Sequence, residues 1–308
     1  PKPQTPNPKP RLRIFCESKS YFRKGITKMV EEEAFEFRRS TFETFRNLNR
    51  VPTPSYLLLS PRILCKVSEN DSVPCYVETD ILRFFKTPNS AFERLDQRQL
   101  LSHPKLLTLL SVSPNYETGQ LLAVFELFPI PLLVTPPKIS DLSKVLRDAA
   151  EAEIYLWNNG FLVQEIFPEY LVTLPSGEQK LYYVCDNIDW QERQRSRLQN
   201  CEDVYLSPER FEILIGKSEK LDEEKSQVFE LGLTIFGLLN DGLDNMLYDL
   251  EEKKTDSKAF SKIEEKLKTM ASKESGTPKE ILELVAKMLD FNPMRRPTLA
   301  EIFALASK

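Results

Sequence analysis

The fold is decided by the stretch Ser226-Gln-Val-Phe-Glu-Leu-Gly-Leu-Thr-Ile-Phe-Gly-Leu-Leu239, which would place apolar side chains on almost every face of a helix. Such a helix must be enclosed by protein on all sides, because any turn that faced solvent would expose large apolar side chains to water. The stretch therefore predicts a central helix around which the other elements of a domain are packed.

Two further segments flank this helix in the chain. Tyr205-Leu-Ser-Pro-Glu-Arg-Phe211 precedes it, and Met288-Leu-Asp-Phe-Asn-Pro-Met-Arg-Arg-Pro-Thr298 follows it. In this order the three segments resemble the C-terminal lobe of the eukaryotic protein kinases, in which an S/A-P-E triplet, a buried central helix and a D-P-x-x-R-P-T turn recur. The resemblance implies that Glu209 and Arg296 form a buried ion pair and that Gly232 permits close packing of the central helix.

The resemblance also implies the fold class, which is α+β: a two-lobed protein kinase-like fold with a small β-rich N-lobe and a larger helical C-lobe. Local patterns predict short strands between residues 56 and 82, a helix over 91–101 and a strand over 121–128. A domain unrelated to kinases is the alternative. We predict three parts, which are a Pro-rich arm and amphipathic helix over residues 1–50, the N-lobe over 51–130 and the C-lobe over 131–308.

The segment that follows Gly160 corresponds to the catalytic loop of kinases, which reads G-(I/F)-(V/L)-H-R-D-x-K-P-E-N-(I/L). The match of Gly160, Phe161, Pro168, Glu169 and Leu171 fixes the register without gaps. In that register the catalytic positions are replaced: Val163, Gln164 and Glu165 stand at H-R-D, Phe167 at the lysine that contacts phosphate, and Tyr170 at the asparagine that binds metal.

The second metal ligand of kinases is the aspartate of D-F-G. When Lys180 and Leu181 are aligned with the usual K-L, Tyr183 stands at that aspartate, and Asp186 lies three residues too late. Magnesium is held by oxygen ligands, and an aromatic ring does not supply the carboxylate that this position needs. We therefore expect a degenerate site with no catalytic residues, no metal and no cofactor.

The loop that covers the phosphates in kinases, G-x-G-x-x-G, requires glycines because its backbone amides must approach the phosphates closely. No glycine lies between Gly25 and Gly119. The lysine of the following strand is replaced by Glu78, and the residue that would pair with it falls near Arg94. A pair of reversed polarity is one interpretation, but we expect both side chains to be exposed to solvent.

Other positions around the expected cleft also depart from the kinase pattern. Pro129 and Pro131 remove two amide donors where kinases hold adenine, and Phe125 places a bulky ring before them. Gln227 replaces the aspartate that caps the backbone of the H-R-D loop, so we expect this tie to the loop to be lost. His103 is expected to be a structural residue.

These losses favour a catalytically inactive pseudokinase that acts as a protein-binding scaffold or as a structural or regulatory subunit of a larger assembly. The alternative is an atypical nucleotide-binding kinase that uses Glu165 and Asp186. We expect other proteins to bind through residues 1–50, because a proline-rich arm is an extended ligand of low entropy. An extension that folds wholly onto its own domain stays open.

Charge and hydropathy exclude several other classes of function. The formal net charge is −4 and the pI is about 5.5, which does not indicate a surface for nucleic acid or for an anionic membrane. No run approaches the roughly 18 apolar residues of a membrane span, and the proline-rich start does not resemble a signal peptide. We expect a cytoplasmic protein within a large intracellular assembly.

Overall fold

The computed structural model describes most of the chain after residue 55, and all of the described residues belong to one compact unit, Thr53–Lys308. The predicted arm and helix of residues 1–50 lie outside the described residues. The structure describes residues 56–60, 63–67, 72–78, 88–115, 120–126, 130–132, 136–163, 165–174, 176–183, 190–199, 203–243 and 247–308.

The N-terminal part of this unit is an antiparallel sheet of five strands with one helix. Its strand order is β1-β2-β3-β5-β4, and the helix α1 packs against β4. Strands and a helix occur where alternating and periodic patterns predict them, although α1 begins three residues earlier than expected. The elements are β1 (Tyr56–Ser60), β2 (Ile63–Val67), β3 (Ser72–Glu78), α1 (Pro88–Gln99), β4 (Leu109–Asn115) and β5 (Gln120–Glu126).

A small sheet joins this part to the helices that follow. Its strands β6 (Ile130–Pro131), β7 (Leu171–Thr173) and β8 (Gln179–Leu181) are antiparallel neighbours in that order. The N–H of Leu107 donates to the carbonyl of Leu181 at 2.9 Å, and the N–H of Leu181 donates to the carbonyl of Lys105 at 2.8 Å. The segment after α1 is thus hydrogen-bonded to β8.

The C-terminal part is helical and surrounds α5, which is the predicted central helix. Thirteen consecutive residues of α5, 226–238, are buried, and Asp222 caps its N-terminus by accepting from the N–H of Lys225 at 3.1 Å. Among the described helices, none is long and apolar enough to cross a bilayer. The elements are α2 (Leu142–Asn158), α3 (Trp190–Gln199), α4 (Pro208–Leu214), α5 (Glu223–Asn240), β9 (Tyr248–Asp249), β10 (Lys254–Thr255), α6 (Ser257–Lys273), α7 (Thr277–Met288) and α8 (Leu299–Ala306).

Two glycines let neighbouring groups approach the backbone of α5. A Cβ atom added at Gly232 would lie 3.0 Å from Cδ2 of Leu289 and 3.1 Å from Cβ of Met288, so this side of α5 is in close contact with the end of α7. A Cβ atom at Gly237 would lie 2.6 Å from the hydroxyl oxygen of Tyr205. The structure therefore places Gly232 at the expected close approach and adds Gly237, which the sequence analysis missed.

The structure places Glu209 against Arg296 in a two-point ion pair. The guanidinium donates to the two carboxylate oxygens at 2.9 and 2.7 Å. It also donates to the backbone carbonyls of Lys225, Asp290 and Phe291. The Arg296 side chain is completely buried, whereas 18% of the Glu209 side chain remains exposed. The side chain of Arg296 thereby fixes α4, the start of α5 and the turn after α7 relative to one another.

We predict that Glu209→Ala lowers the free energy of unfolding by about 3 kcal/mol, because it leaves the buried guanidinium of Arg296 without its counter-charge. The measurement is chemical denaturation of the full chain. Glu212→Ala is the matched control, because Glu212 is an exposed residue of the same helix. Equal stability of the two variants would contradict the prediction.

Candidate functional site

The loop that the sequence analysis matched to the catalytic loop of kinases runs from the end of α2 to β7, and side chains of α5 donate hydrogen bonds to it. Gln227 donates from Nε2 to the carbonyl of Val163 at 2.9 Å, and Thr234 donates from Oγ1 to the carbonyl of Ile166 at 2.6 Å. Gln227 and Thr234 are buried and lie about two helical turns apart on one face of α5. The loop therefore has two fixed backbone contacts to the central helix.

The contact from Gln227 corrects the expectation that replacement of the aspartate removes the tie to this loop. An aspartate can only accept hydrogen bonds when it is ionised, whereas a glutamine amide can also donate. Gln227 uses its amide to donate to a carbonyl of the loop. The tie is therefore present, with its polarity opposite to that of a carboxylate.

Glu165, at the position of the proton-accepting aspartate, lies in the interior. Its side chain is covered by α3, and only 4% of the residue is exposed. Oε1 accepts a hydrogen bond from Nε2 of Gln194 at 2.7 Å, and Gln194 is itself completely buried. Gln164 lies outside the described residues. The carboxylate of Glu165 thus takes part in the packing of α3 against the loop.

Aromatic side chains stand at the expected positions of the phosphate-contacting lysine and the metal-binding asparagine. Phe167 is buried, and the guanidinium carbon of Arg197 in α3 lies 4.1 Å from the centroid of its ring. The rings of Phe167 and Tyr170 meet edge to face with centroids 5.4 Å apart, and Tyr170 meets Tyr182 in the same way at 6.0 Å. These rings form an apolar cluster where kinases bind charged groups.

Tyr183, at the position of the D-F-G aspartate, is also buried. Its ring meets the ring of Phe161 edge to face with centroids 6.1 Å apart. Its carbonyl accepts from Nε of Arg98 at 3.0 Å, and Nη2 of Arg98 donates to the carbonyl of Leu107 at 2.7 Å. Asp186 lies outside the described residues. A buried arginine of α1 thus connects the helix, the segment that precedes β4 and the segment around Tyr183.

The sequence analysis missed Arg98, although the sequence carries a signal for it. Arg98 follows Leu95 by three residues and precedes Leu101 by three, so it occupies the apolar face of α1. A charged residue at such a position is buried only with partners. The carbonyls of Leu107 and Tyr183 are two of those partners.

Arg94, on the same helix, does not fit the expectation that it is exposed to solvent. It is half-buried, and Nη2 donates to the carbonyl of Gly160 at 2.8 Å. Its guanidinium carbon also lies 3.8 Å from the centroid of the Phe161 ring. The reason is that this part of α1 lies close to the start of the loop, where the carbonyl of Gly160 and the ring of Phe161 are available to a long cationic side chain. The side chain of Glu78 is not among those described.

The end of β5, where kinases hold adenine, carries an ion pair. Nζ of Lys180 lies 2.5 Å from Oε1 of Glu126, which also accepts from the N–H of Thr108 at 2.9 Å. Burial alone would raise the pKa of Glu126, but these two donors hold it below its usual value. Phe125 is completely buried, and its ring meets that of Tyr182 edge to face at 5.1 Å. Residues 127–129 lie outside the described residues.

His103 has the surroundings of a structural residue. Its ring stacks on Tyr155 with centroids 4.6 Å apart, and Nδ1 accepts from the N–H of Lys105 at 3.2 Å. Burial lowers the pKa of His103 although Glu151, with Oε1 3.5 Å from Nε2, opposes this shift. The histidine thus fastens the turn after α1 to α2.

A buried cluster of charged groups lies behind the loop and was not predicted. Arg210 is completely buried, with Nε 3.0 Å from Oε1 of Glu230 and Nη2 2.5 Å from Oε2 of Glu223. Oε1 of Glu230 also accepts from the N–H of Ser207 at 3.1 Å. Burial raises the pKa of Glu230 to about 8 despite the attraction of Arg210. Glu153 of α2 lies near enough to interact with Glu230.

Glu153 is the member of this cluster without a hydrogen-bond partner for either carboxyl oxygen. Burial, and secondarily the charge of Glu230, raise the pKa of Glu153 well above its ordinary value of 4.5. One guanidinium serves the several acidic groups of the cluster, so an additional buried negative charge would lack compensation. Burial and the charge of Glu230 therefore disfavour ionisation of Glu153 in the folded protein.

No group of three or more His, Cys, Asp or Glu side chains in the part of the chain that the structure describes could hold a metal ion. The site therefore offers buried aromatic rings, a carboxylate bonded to a glutamine amide and an ion pair at the end of β5.

Comparison with solved structures shows a protein kinase-like fold. The chain is similar to the crystal structure of a mutant form of the kinase domain of PknI from Mycobacterium tuberculosis, with a TM-score of 0.55 over 83% of this chain and 96% of that chain. The sequence identity is 13%, so the likeness concerns the fold alone. Neither a protein-family model nor a curated protein sequence matches the chain.

The raised pKa of Glu153 predicts a pH-dependent contribution to stability. A folded-state pKa above the unfolded value of 4.5 means that this contribution is fully present below the unfolded pKa and is lost as the pH rises through the folded pKa. Glu153→Gln removes this titration, so the melting temperature of the variant minus that of the wild type should increase across the pH range above the unfolded value of 4.5.

The measurement is a series of thermal unfolding curves across this pH range. Glu265→Gln is the control, because Glu265 is exposed on α6 and far from the cluster in sequence. Identical pH profiles for the wild type and Glu153→Gln would show that Glu153 is ionised in the folded state.

Proposed function

We propose that this protein is a catalytically inactive pseudokinase that serves as a protein-binding scaffold or as a structural or regulatory subunit of a larger assembly. The observation that carries the proposal is the state of Glu165. The carboxylate at the proton-accepting position is buried and accepts a hydrogen bond from Gln194 of α3. A general base must come within hydrogen-bond reach of the substrate hydroxyl, and burial of Glu165 with an internal donor opposes this role.

The residues around Glu165 support the same proposal. Transfer of a phosphoryl group depends on metal ions and cationic groups that neutralise developing negative charge. Phe167, Tyr170 and Tyr183 occupy the corresponding positions and pack against other rings. An aromatic cluster gives a stable core to the cleft but supplies neither a ligand for Mg²⁺ nor a cation for phosphate.

The fixed backbone of the loop supports a use other than catalysis. Gln227 and Thr234 hold the loop carbonyls of Val163 and Ile166, and Arg296 holds the turn beyond α7. A rigid surface loses little conformational entropy when a partner binds, so it favours recognition. The architecture of a kinase-like fold can thus serve binding after its catalytic groups are replaced.

We predict that millimolar ATP with Mg²⁺ neither raises the melting temperature nor yields phosphotransfer to the chain or to a generic protein substrate. A ligand present at about 100 times its Kd would stabilise the fold by about 2.7 kcal/mol, so thermal shift is a sensitive measurement of binding. The result that would overturn the proposal is a magnesium-dependent shift that disappears in Glu165→Ala, with Glu169→Ala as the control at an exposed carboxylate of the same segment.

We further propose that residues 1–50 contribute to binding of partner proteins. This segment combines a proline-rich stretch with phenylalanines at positions 35, 37, 42 and 45, a composition suited to docking on another protein. The contribution of residues 1–50 to partner binding is measured by affinity purification with the full chain as bait and, in parallel, with a chain that begins at residue 51 as bait. The proteins that each bait retains are then identified. The same partners at the same yield with both chains would contradict this assignment.

A further inference from the structure

The groove between α6 and α7 is a candidate binding surface at a distance in sequence from the altered catalytic loop. It has a volume of about 380 Å³. Its walls come from one face of α6, from the end of α7 and from the turn that follows α7. The lining residues are Ser257, Phe260, Ser261, Ile263, Glu264, Leu267, Ala286, Leu289, Asp290 and Phe291.

The base of the groove is apolar, and one ring extends this apolar surface to solvent. Phe260, Ile263 and Leu267 are buried residues on successive turns of α6. Phe291 is 46% exposed, and its ring meets the ring of Phe260 edge to face with centroids 4.8 Å apart. Met294, in the same turn as Phe291, is 82% exposed. Large apolar side chains left in water at a concave surface are a feature of protein-binding sites.

The charged residues that line the groove are all negatively charged. Glu264 and Asp290 are both acidic, and the lining contains neither lysine nor arginine. Nζ of Lys268 lies 2.6 Å from Oε1 of Glu264. Both side chains are at least 60% exposed, and exposed i,i+4 ion pairs contribute little to stability. Oδ1 of Asp290 accepts from the N–H of Asn292, which fixes this carboxylate at the rim. The groove therefore favours an apolar ligand that carries positive charge on its flanks.

The rim is held in place before any ligand binds. The guanidinium of Arg296 donates to the carbonyl of Asp290 at 2.6 Å and to the carbonyl of Phe291 at 3.3 Å. The same guanidinium donates to the carboxylate of Glu209. The turn that carries the exposed ring thus depends on a buried ion pair. Preorganised sites bind more tightly because less conformational freedom is lost on binding.

We propose that this groove binds a partner protein through a short basic amphipathic helix that inserts one or two large apolar side chains between α6 and α7 and places Lys or Arg beside Glu264 and Asp290. The volume fits such anchors, since small-ligand pockets begin at about 300 Å³. Helix-in-groove recognition uses apolar anchors at i and i+4. The inference rests on the proposed function as a binding protein and names the surface and the partner chemistry.

The probe is a fluorescent helical peptide of about twelve residues with leucines at i and i+4 and lysines on its remaining faces. Fluorescence anisotropy with the full chain measures its Kd. Two matched peptides test the two parts of the recognition: in one, serine replaces both leucines, and in the other, glutamate replaces the lysines. We expect saturable binding of the first peptide, and loss of binding by both of the others.

Variants of the chain locate the binding site. Ser261→Arg puts a bulky cation at the mouth of the groove and should weaken binding at least about tenfold, as loss of a buried apolar anchor does. Ser272→Arg is the matched control, because Ser272 is an exposed serine of the same helix outside the lining, and it should leave the Kd unchanged. Both positions are exposed, so both variants are expected to fold.

The charge of the rim is tested separately. Glu264→Gln and Asp290→Asn should each weaken binding about two- to fivefold at low salt and reduce its dependence on salt concentration. Glu265→Gln, an exposed neighbour outside the lining, is the control. Absence of saturable binding, or equal effects of Ser261→Arg and Ser272→Arg, would overturn the proposal.

The same preparations are assayed for ATP binding and phosphotransfer. Failure of the groove to bind the peptide leaves the inactive state of the kinase-like site untouched, whereas magnesium-dependent ATP binding contradicts the proposed function and leaves the groove result standing. The two proposals therefore fail on different measurements.

Discussion

A helix that is buried on all sides must find partners inside the protein for most of its polar side chains, and the rest of this structure depends on how α5 meets that constraint. Gln227 and Thr234 donate to carbonyls of the loop, and Glu230 accepts from the N–H of Ser207 and contacts Arg210. An unpaired polar group in the same position would cost about 1–3 kcal/mol. The conformation of the loop is thus coupled to the stability of the core.

This coupling explains how the side chains of the loop can differ from the kinase pattern while the fold is kept. The contacts of α5 to the loop reach backbone carbonyls of Val163 and Ile166, which are present whatever side chains the loop carries. Side chains on the loop are then selected for packing, as the rings of Phe167 and Tyr170 illustrate. The carboxylate of Glu165 is tied to Gln194 because a buried carboxylate needs a donor.

Patterns in the sequence predicted those features that arise from local periodicity or from motifs of fixed order. The central helix follows from its apolar residues alone, and the resemblance to kinases led to Glu209, Arg296 and Gly232 at their observed contacts. Two other buried arginines, Arg98 and Arg210, were missed because their partners are distant in sequence. Arg98 binds the carbonyl of a residue 85 positions later, and no single-sequence pattern reports such a pairing. Gln227 was misjudged because a change of residue type was equated with a loss of contact.

The distribution of buried charge separates two parts of the molecule. Behind the loop, Arg210 serves two glutamates, and burial beside Glu230 disfavours ionisation of Glu153. Beyond α5, Arg296 has its own carboxylate and three carbonyls, so its charge is fully compensated. Breaking either cluster would strand a charge in the interior, and this penalty keeps each set of elements in one arrangement. The compensated cluster fixes the turn that carries Phe291, so the same ion pair that fastens α4 to the core also shapes the exposed apolar surface between α6 and α7.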